Sequence, residues 1–180
     1  MFYNCTNLTG GTYMNTWNTT AVTDMGWMFY EAVSFDSDIS GWDTSNVTDM
    51  TATFSDAQTF NQDISAWDVS SVTTMAAMFY YATSFNQDIS IWDTSNVTDM
   101  ASMFEEAEAF DQPLNSWNVS SVTDMNSMFF NALLFNQDIG AWDVTNVTNM
   151  AAMFQNATAF NQDIGAWNVV NLLDATGFMD

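Results

Sequence analysis

Residues 60–82 read Phe60-Asn61-Gln62-Asp63-Ile64-Ser65-Ala66-Trp67-Asp68-Val69-Ser70-Ser71-Val72-Thr73-Thr74-Met75-Ala76-Ala77-Met78-Phe79-Tyr80-Tyr81-Ala82. This stretch recurs along the chain every 25 residues, with Phe, Met and Ala each keeping a fixed place. Tryptophan marks one place in the unit, at Trp17, Trp42, Trp67, Trp92, Trp117, Trp142 and Trp167. One such unit cannot bury its apolar face alone, so the repeat predicts an array of stacked units.

The apolar pattern within the unit predicts one short strand and one short helix. Trp67 and Val69 flank the polar Asp68, and this alternation is typical of a very short strand. Residues 72–82 carry apolar side chains at steps of three and four, which is typical of one helix face. Thr73 stands where the helix N-cap is expected. Threonine recurs there, at Thr23, Thr48, Thr73, Thr98, Thr123 and Thr148.

The predicted fold is therefore an α/β repeat, a solenoid with a short strand and a short helix in each 25-residue coil. Helices pack about 8–10 Å apart and strands about 4.8 Å apart, so the strands would line a concave face. We expect a single solenoid domain over residues 1–180. It divides into a partial N-terminal unit (1–19), six 25-residue coils (20–169) and a degenerate C-terminal half unit (170–180). Units that open and close in mid-repeat fit a fragment of a longer array, capped ends, or faces that join end to end.

The charge of the chain restricts its partners. The 180 residues include 22 Asp and Glu but no Lys, Arg or His, which gives a formal net charge of −22. Nucleic acids and anionic membrane surfaces are implausible partners, because both are bound mainly through cationic side chains. Catalysis by histidine is excluded, because the chain contains no histidine. No run of apolar residues is long enough to predict a membrane span.

The acidic residues stack in columns when the units are stacked. Neighbouring carboxylates at the strand spacing repel by about 1 kcal/mol in water. Hydrogen bonds, raised pKa values or bound cations would relieve this repulsion, and hydrogen bonding is the favoured interpretation. No cofactor is required, and Ca²⁺ is the candidate for a bound cation. Its predicted ligands face outward from the strand, at Asp43, Asp68, Asp93 and Asp143.

The tryptophan column has two interpretations, an inward core ladder or an outward platform for sugar rings. The core is favoured, because the flanking Asp68 must face water. The predicted core ladder comprises Trp42, Trp67, Trp92, Trp117, Trp142 and Trp167.

Candidate glycosylation sites are frequent. The pattern Asn-x-Ser/Thr begins at Asn4, Asn7, Asn18, Asn46, Asn96, Asn118, Asn146 and Asn156. Asn46, Asn96 and Asn146 share one place in the unit, at an expected surface corner.

The stretch Phe85-Asn86-Gln87-Asp88-Ile89-Ser90-Ile91-Trp92-Asp93-Thr94-Ser95-Asn96-Val97-Thr98-Asp99-Met100, followed by Met103-Phe104, resembles the BspA-like bacterial surface-protein repeat found in mycoplasma-type lipoproteins. The resemblance extends over about residues 20–170. It implies a leucine-rich-repeat-like solenoid, an extracellular or cell-surface location, and a role in adhesion or assembly. It implies no catalytic residues.

The sequence thus predicts a non-enzymatic extracellular repeat protein for cell-surface adhesion or for structural and filament assembly. The alternative is a Ca²⁺-dependent carbohydrate- or protein-binding module that uses a concave Asp ladder. An enzyme is not expected, because the carboxylates recur identically in every unit, whereas an active site needs one asymmetric constellation. Expected partners are a second copy, a host or surface protein, or a glycan.

Overall fold

The computed structural model describes residues 5–11 and 13–179. Within these ranges the only helix is a short 3₁₀ helix, Met14–Thr16, and β pairing is limited to isolated single-residue bridges. These bridges are parallel and link residues 25 apart, as Asp24–Asp49, Asp49–Thr74, Thr74–Asp99, Asp99–Asp124, Asp124–Asn149 and Asn149–Asp174. The predicted 25-residue repeat is therefore present as a stack of 25-residue coils.

The prediction of an α/β coil with a strand and a helix is wrong. Where the helix was expected, the N–H groups of Met75, Ala77 and Phe79 donate to carbonyl oxygens of the next coil, 24 residues ahead, at 2.8–3.0 Å. The intervening N–H groups of Met78 and Tyr80 donate three residues back, at 3.1 Å. An α-helix would send every N–H four residues back. Residues 75–82 thus form successive tight turns that bond to the neighbouring coil.

The backbone of this turn segment takes left-handed conformations that a helix does not contain. Ala77 has φ 54° and Tyr81 has φ 55°. The same pair of positive φ values recurs in each coil, at Trp27, Glu31, Ala52, Asp56, Ser102, Glu106, Ser127, Asn131, Ala152 and Asn156. Two residues of this kind per coil keep apolar side chains at steps of three and four while the chain curls tightly.

Coil spacing explains why turns replace the helix. The rings of Phe54 and Phe79 stack at a centroid distance of 5.7 Å, and those of Phe79 and Phe104 at 5.6 Å. Helices need about 8–10 Å between axes, so one helix per coil does not fit this spacing. The expected strand around Asp68 is also absent, because the single bridge falls at Thr74 instead. No helix lies opposite a strand in this coil. The difference in spacing that predicted a concave face is therefore absent.

Threonine is not an N-cap in this fold. Thr73 donates both its N–H and its hydroxyl to the carbonyl oxygen of Thr48, at 2.9 and 3.1 Å. The same double contact to the preceding coil is made by Thr48, Thr98, Thr123 and Thr148. The threonine column therefore joins coil to coil.

The core consists of aromatic columns filled in by Met, Val, Ile and Ala. Within one coil, Phe54 stacks on Phe60 at 3.9 Å, and each ring also stacks on its equivalent in the next coil. Among the described residues, every buried side-chain nitrogen and oxygen has a hydrogen-bond partner. No helix in the described ranges is both long and apolar enough to cross a membrane.

Candidate functional site

The aspartates close turns within their own coils. Asp43 Oδ1 accepts hydrogen bonds from the N–H of Ser45 at 3.0 Å and from its hydroxyl at 2.6 Å. This is an Asx turn, in which a short carboxylate satisfies the backbone two residues ahead. The backbone contact recurs at Asp24, Asp38, Asp49, Asp63, Asp68, Asp88, Asp93, Asp99, Asp124, Asp138, Asp143, Asp163 and Asp174.

These hydrogen bonds favour the charged form of the carboxylates. The hydroxyl of Ser45 and then its backbone N–H lower the pKa of Asp43. Equivalent contacts lower the pKa of Asp93 and Asp143. Hydrogen bonds thus keep these stacked acids ionised without any cationic side chain.

The four predicted Ca²⁺ ligands lie on one column. Asp43, Asp68, Asp93 and Asp143 are all exposed, and one oxygen of each is already bonded to its own turn. The described residues contain no group of three or more acidic, Cys or His side chains placed to hold a metal ion. The geometry gives no support to a Ca²⁺ site on this column.

Asparagine and glutamine form a further ladder that the sequence analysis did not identify. Asn61 Oδ1 accepts hydrogen bonds from the N–H of Asn86 and from Nε2 of Gln87, both at 2.9 Å. The same contact continues along the stack from the oxygens of Asp36, Asn86, Asp111 and Asn136. The signal was the recurring polar pair after the core Phe, which is Asn-Gln after Phe60, Phe85, Phe135 and Phe160 and Asp-Gln after Phe110.

The tryptophan column lies in the core. Trp67 is 3% exposed, and its ring is parallel to that of Trp42, with centroids 6.3 Å apart. Each indole N–H donates to a carbonyl oxygen 28 residues earlier, at 2.7–3.3 Å. This bond is formed by Trp42, Trp67, Trp92, Trp117, Trp142 and Trp167. Trp167, in the last coil, is only half-buried. From Trp42 to Trp142 the column therefore offers no open platform for a sugar, whereas Trp17, which stacks on Trp42 at the start of the column, is 47% exposed.

The candidate glycosylation sites differ in what their side chains do. Asn46, Asn96 and Asn146 are exposed, and each Nδ2 donates to a carbonyl oxygen of the preceding coil at 2.8–3.0 Å. The remaining described sites are also exposed, at Asn7, Asn18, Asn118 and Asn156. Asn4 lies outside the described residues.

One surface of the stack differs from coil to coil. Each turn segment reads Met, Phe, Ala and Phe at fixed places, and the two residues after the first Phe change in every coil. We call these six pairs the variable face: Tyr30/Glu31, Ser55/Asp56, Tyr80/Tyr81, Glu105/Glu106, Phe130/Asn131 and Gln155/Asn156. They were not among the predicted site residues, although comparing the repeats with one another would have revealed them.

Glu105, on this surface, and Asp99, itself one of the turn-closing aspartates, differ electrostatically from Asp43, Asp93 and Asp143. Burial raises the pKa of Glu105, and the neighbouring Glu106 adds to the effect. Burial likewise raises the pKa of Asp99, with a further contribution from Asp124. The carboxyl group of Glu105 is therefore partly desolvated on the variable face, next to that of Glu106.

These features define a repeat protein whose polar side chains bond coil to coil and leave one surface free to vary. The chain matches, over residues 1–109 and again over residues 86–180, the family described as "Mycoplasma protein of unknown function, DUF285". Together the two matches extend over all 180 residues, and the chain belongs to this family. A search of curated proteins finds no match to it.

Proposed function

We propose that this chain is a non-enzymatic repeat scaffold that presents a binding surface outside the cell, in adhesion. The observation that carries the proposal is the use of the polar side chains. Asp, Asn, Gln, Ser and Thr are engaged in turn and coil-to-coil hydrogen bonds that recur along the stack. Catalysis needs a unique set of unengaged groups, and repeated structural contacts suit a scaffold.

Family membership supports the cell-surface location. The family is a Mycoplasma family, and the repeat resembles the BspA-like surface-protein unit. In this proposal the stacked coils form a solenoid like that of the BspA-like surface proteins, and the side of the stack is available to partners. Near-identical units along one axis also suit multivalent contact.

The location is tested by labelling intact cells that produce the chain with an antibody raised against the purified protein. The expected result is labelling of intact cells and loss of cell adhesion when the antibody is present. Labelling that appears only after the membrane is permeabilised contradicts the proposal.

A second candidate function is end-to-end assembly with another copy of the chain. The last coil carries Leu173 and Val170 where the other coils carry Thr and Ser or Thr, and these side chains are 86% and 73% exposed. The N–H groups of Ala175 and Gly177 have no acceptor among the described residues. Their equivalents in the preceding coil, Met150 and Ala152, donate to the coil that follows. A second copy that placed carbonyl groups in the same positions would satisfy these donors.

Light scattering over a range of protein concentrations tests this assembly. Restoring the repeat with Leu173→Thr and Val170→Ser is expected to weaken association. The matched control is Ile91→Ala, which removes a 75% exposed apolar side chain from the side of the stack and copies the Ala found there at Ala66 and Ala141. A mass that stays monomeric at all concentrations, or equal effects of both variants, contradicts end-to-end assembly.

A further inference from the structure

Divergence between coils is concentrated in the turn segment, on the variable face and at the two places after the following Ala, as in Val33, Gln58 and Glu108. The repeated side chains around it are fixed by packing, because the Phe and Ala at its borders are fully buried in the stack. Except for the buried Ser55, the paired residues between those anchors are partly or fully exposed and are less restricted by packing. They include Tyr, Phe, Glu, Asp, Ser, Gln and Asn, so neighbouring coils present different chemistry at one place. A surface of this kind distinguishes partners, whereas the uniform columns cannot.

The centre of the variable face combines aromatic rings with carboxylates. Tyr80 and Tyr81 are 36% and 38% exposed, with ring centroids 6.4 Å apart and planes tilted by 33°. The next coil brings Glu105 and Glu106 beside them, since the N–H of Tyr81 donates to the carbonyl oxygen of Glu105 at 2.8 Å. On the other side, the N–H of Asp56 donates to the carbonyl oxygen of Tyr80 at 2.7 Å.

The ionisable side chains around this patch carry negative charge only. Burial raises the pKa of Tyr80, and the charges of Glu105, Glu106 and Asp56 raise it further. The sequence has no Lys, Arg or His, so no side chain of the protein can supply a counter-charge. Asp56 and Glu106 each accept one amide hydrogen bond, from Gln58 at 2.8 Å and from Asn131 at 2.6 Å, but neither has a cationic partner. An exposed aromatic pair beside three carboxylates without a counter-charge favours a cation that can also stack on a ring.

We infer that the variable face, centred on Tyr80, Tyr81, Glu105 and Glu106, is the binding site for an arginine-bearing segment of a partner protein. A guanidinium group stacks on aromatic rings and bonds to carboxylates through several N–H groups at once. The net charge of −22 steers such a segment toward the protein, and the tyrosines determine where on the surface it binds. This inference rests on the proposed scaffold function and names the chemistry of its partner.

The test is a calorimetric titration of the 180-residue chain with a short capped peptide in which Arg alternates with Gly. Two double variants copy residues from other coils. Glu105→Gln and Glu106→Asn copy Gln155 and Asn131, and Tyr80→Ser and Tyr81→Asn copy Ser55 and Asn131. Each double variant is expected to weaken binding about tenfold.

A matched control separates this site from general attraction to an acidic protein. Asp43→Asn with Asp93→Asn also removes two charges, and Asn occupies that column naturally at Asn118 and Asn168. Its affinity is expected to change less than about twofold. Equal losses in the Glu and Asp variants, or full affinity after loss of both tyrosines, would overturn the inference. A peptide with uncharged citrulline in place of Arg is expected not to bind, and equal binding would overturn it too. The titration does not involve cells, so its outcome is independent of the test of surface location.

Discussion

Trp67 donates its indole N–H to the carbonyl oxygen of Ile39 at 3.1 Å, across the interface between two coils. Trp67→Phe removes that donor from a buried site and leaves a small cavity. We expect the free energy of unfolding to fall by about 2 kcal/mol, since an unpaired carbonyl and lost packing both count against the fold. Urea denaturation measures this change.

The control for Trp67 is Trp27→Phe. Trp27 is 44% exposed and is the one tryptophan outside the repeated column. Its replacement should alter stability by no more than about 0.5 kcal/mol. Similar losses for the two variants would contradict the structural role of the column.

Asp68 illustrates what the acidic columns contribute. Its Oδ1 accepts hydrogen bonds from the N–H and hydroxyl of Ser70 at 2.9 and 2.6 Å, and Asn118 does the same for Ser120 at 3.1 and 2.7 Å. Asp68→Asn should therefore leave stability within about 0.5 kcal/mol. Asp68→Ala should cost about 1 kcal/mol, because the turn loses its acceptor. Thermal unfolding of the two variants distinguishes them, and a loss on Asn substitution as large as that on Ala would refute the turn-closing role.

Two sets of acids give stability opposite dependences on pH. Hydrogen bonds from Ser45 hold the pKa of Asp43 below its ordinary value of 3.8, so the folded state binds fewer protons and loses stability as pH falls below 3.8. Burial raises the pKa of Asp99 and Glu105, so the folded state gains protons first and is stabilised as pH falls through those raised values. We expect the melting temperature to rise as pH falls from neutral through the raised pKa values of Asp99 and Glu105, and to fall again below 3.8, where Asp43 takes up protons.

A double variant separates the two effects. Asp99→Asn and Glu105→Gln copy Asn149 and Gln155, so both replacements already occur in the stack. The variant should show a smaller rise in melting temperature as pH falls from neutral, while keeping the decline below 3.8. A melting curve against pH that is unchanged by the double variant would contradict the contribution of these two groups.

The 25-residue period could be predicted from sequence because four residue types repeat in one frame. The local conformation could not. Steps of three and four, as in Val72, Met75 and Phe79, fit a helix equally well. Thr73, near the start of this run, also fits the N-cap of a helix. What decides against the helix is the coil spacing, which depends on contacts between residues 24 or more apart. Ala77 and Tyr81 also give no sign of left-handed backbone, which usually calls for Gly or Asn.

The candidate site, like the fold, could be predicted only in part from the sequence. The charge of the aspartates and the lack of cationic side chains predicted that their repulsion must be relieved, with hydrogen bonds favoured over raised pKa values and bound cations. That Ser45 supplies both bonds to Asp43 depends on turn geometry. The variable face was not predicted, because the repeat is defined by the residues that the coils share, whereas this surface consists of residues that differ from coil to coil.

The helix-free coil is tested most directly by glycine substitution at neighbouring alanines. Ala77 has φ 54°, where Gly is less strained, whereas its neighbour Ala76 is not among the residues with positive φ. We expect Ala77→Gly to raise the free energy of unfolding by about 0.5–1 kcal/mol, and Ala76→Gly to lower it by a similar amount. A loss of about 1 kcal/mol at both positions, as in a helix interior, would contradict the stack of turns.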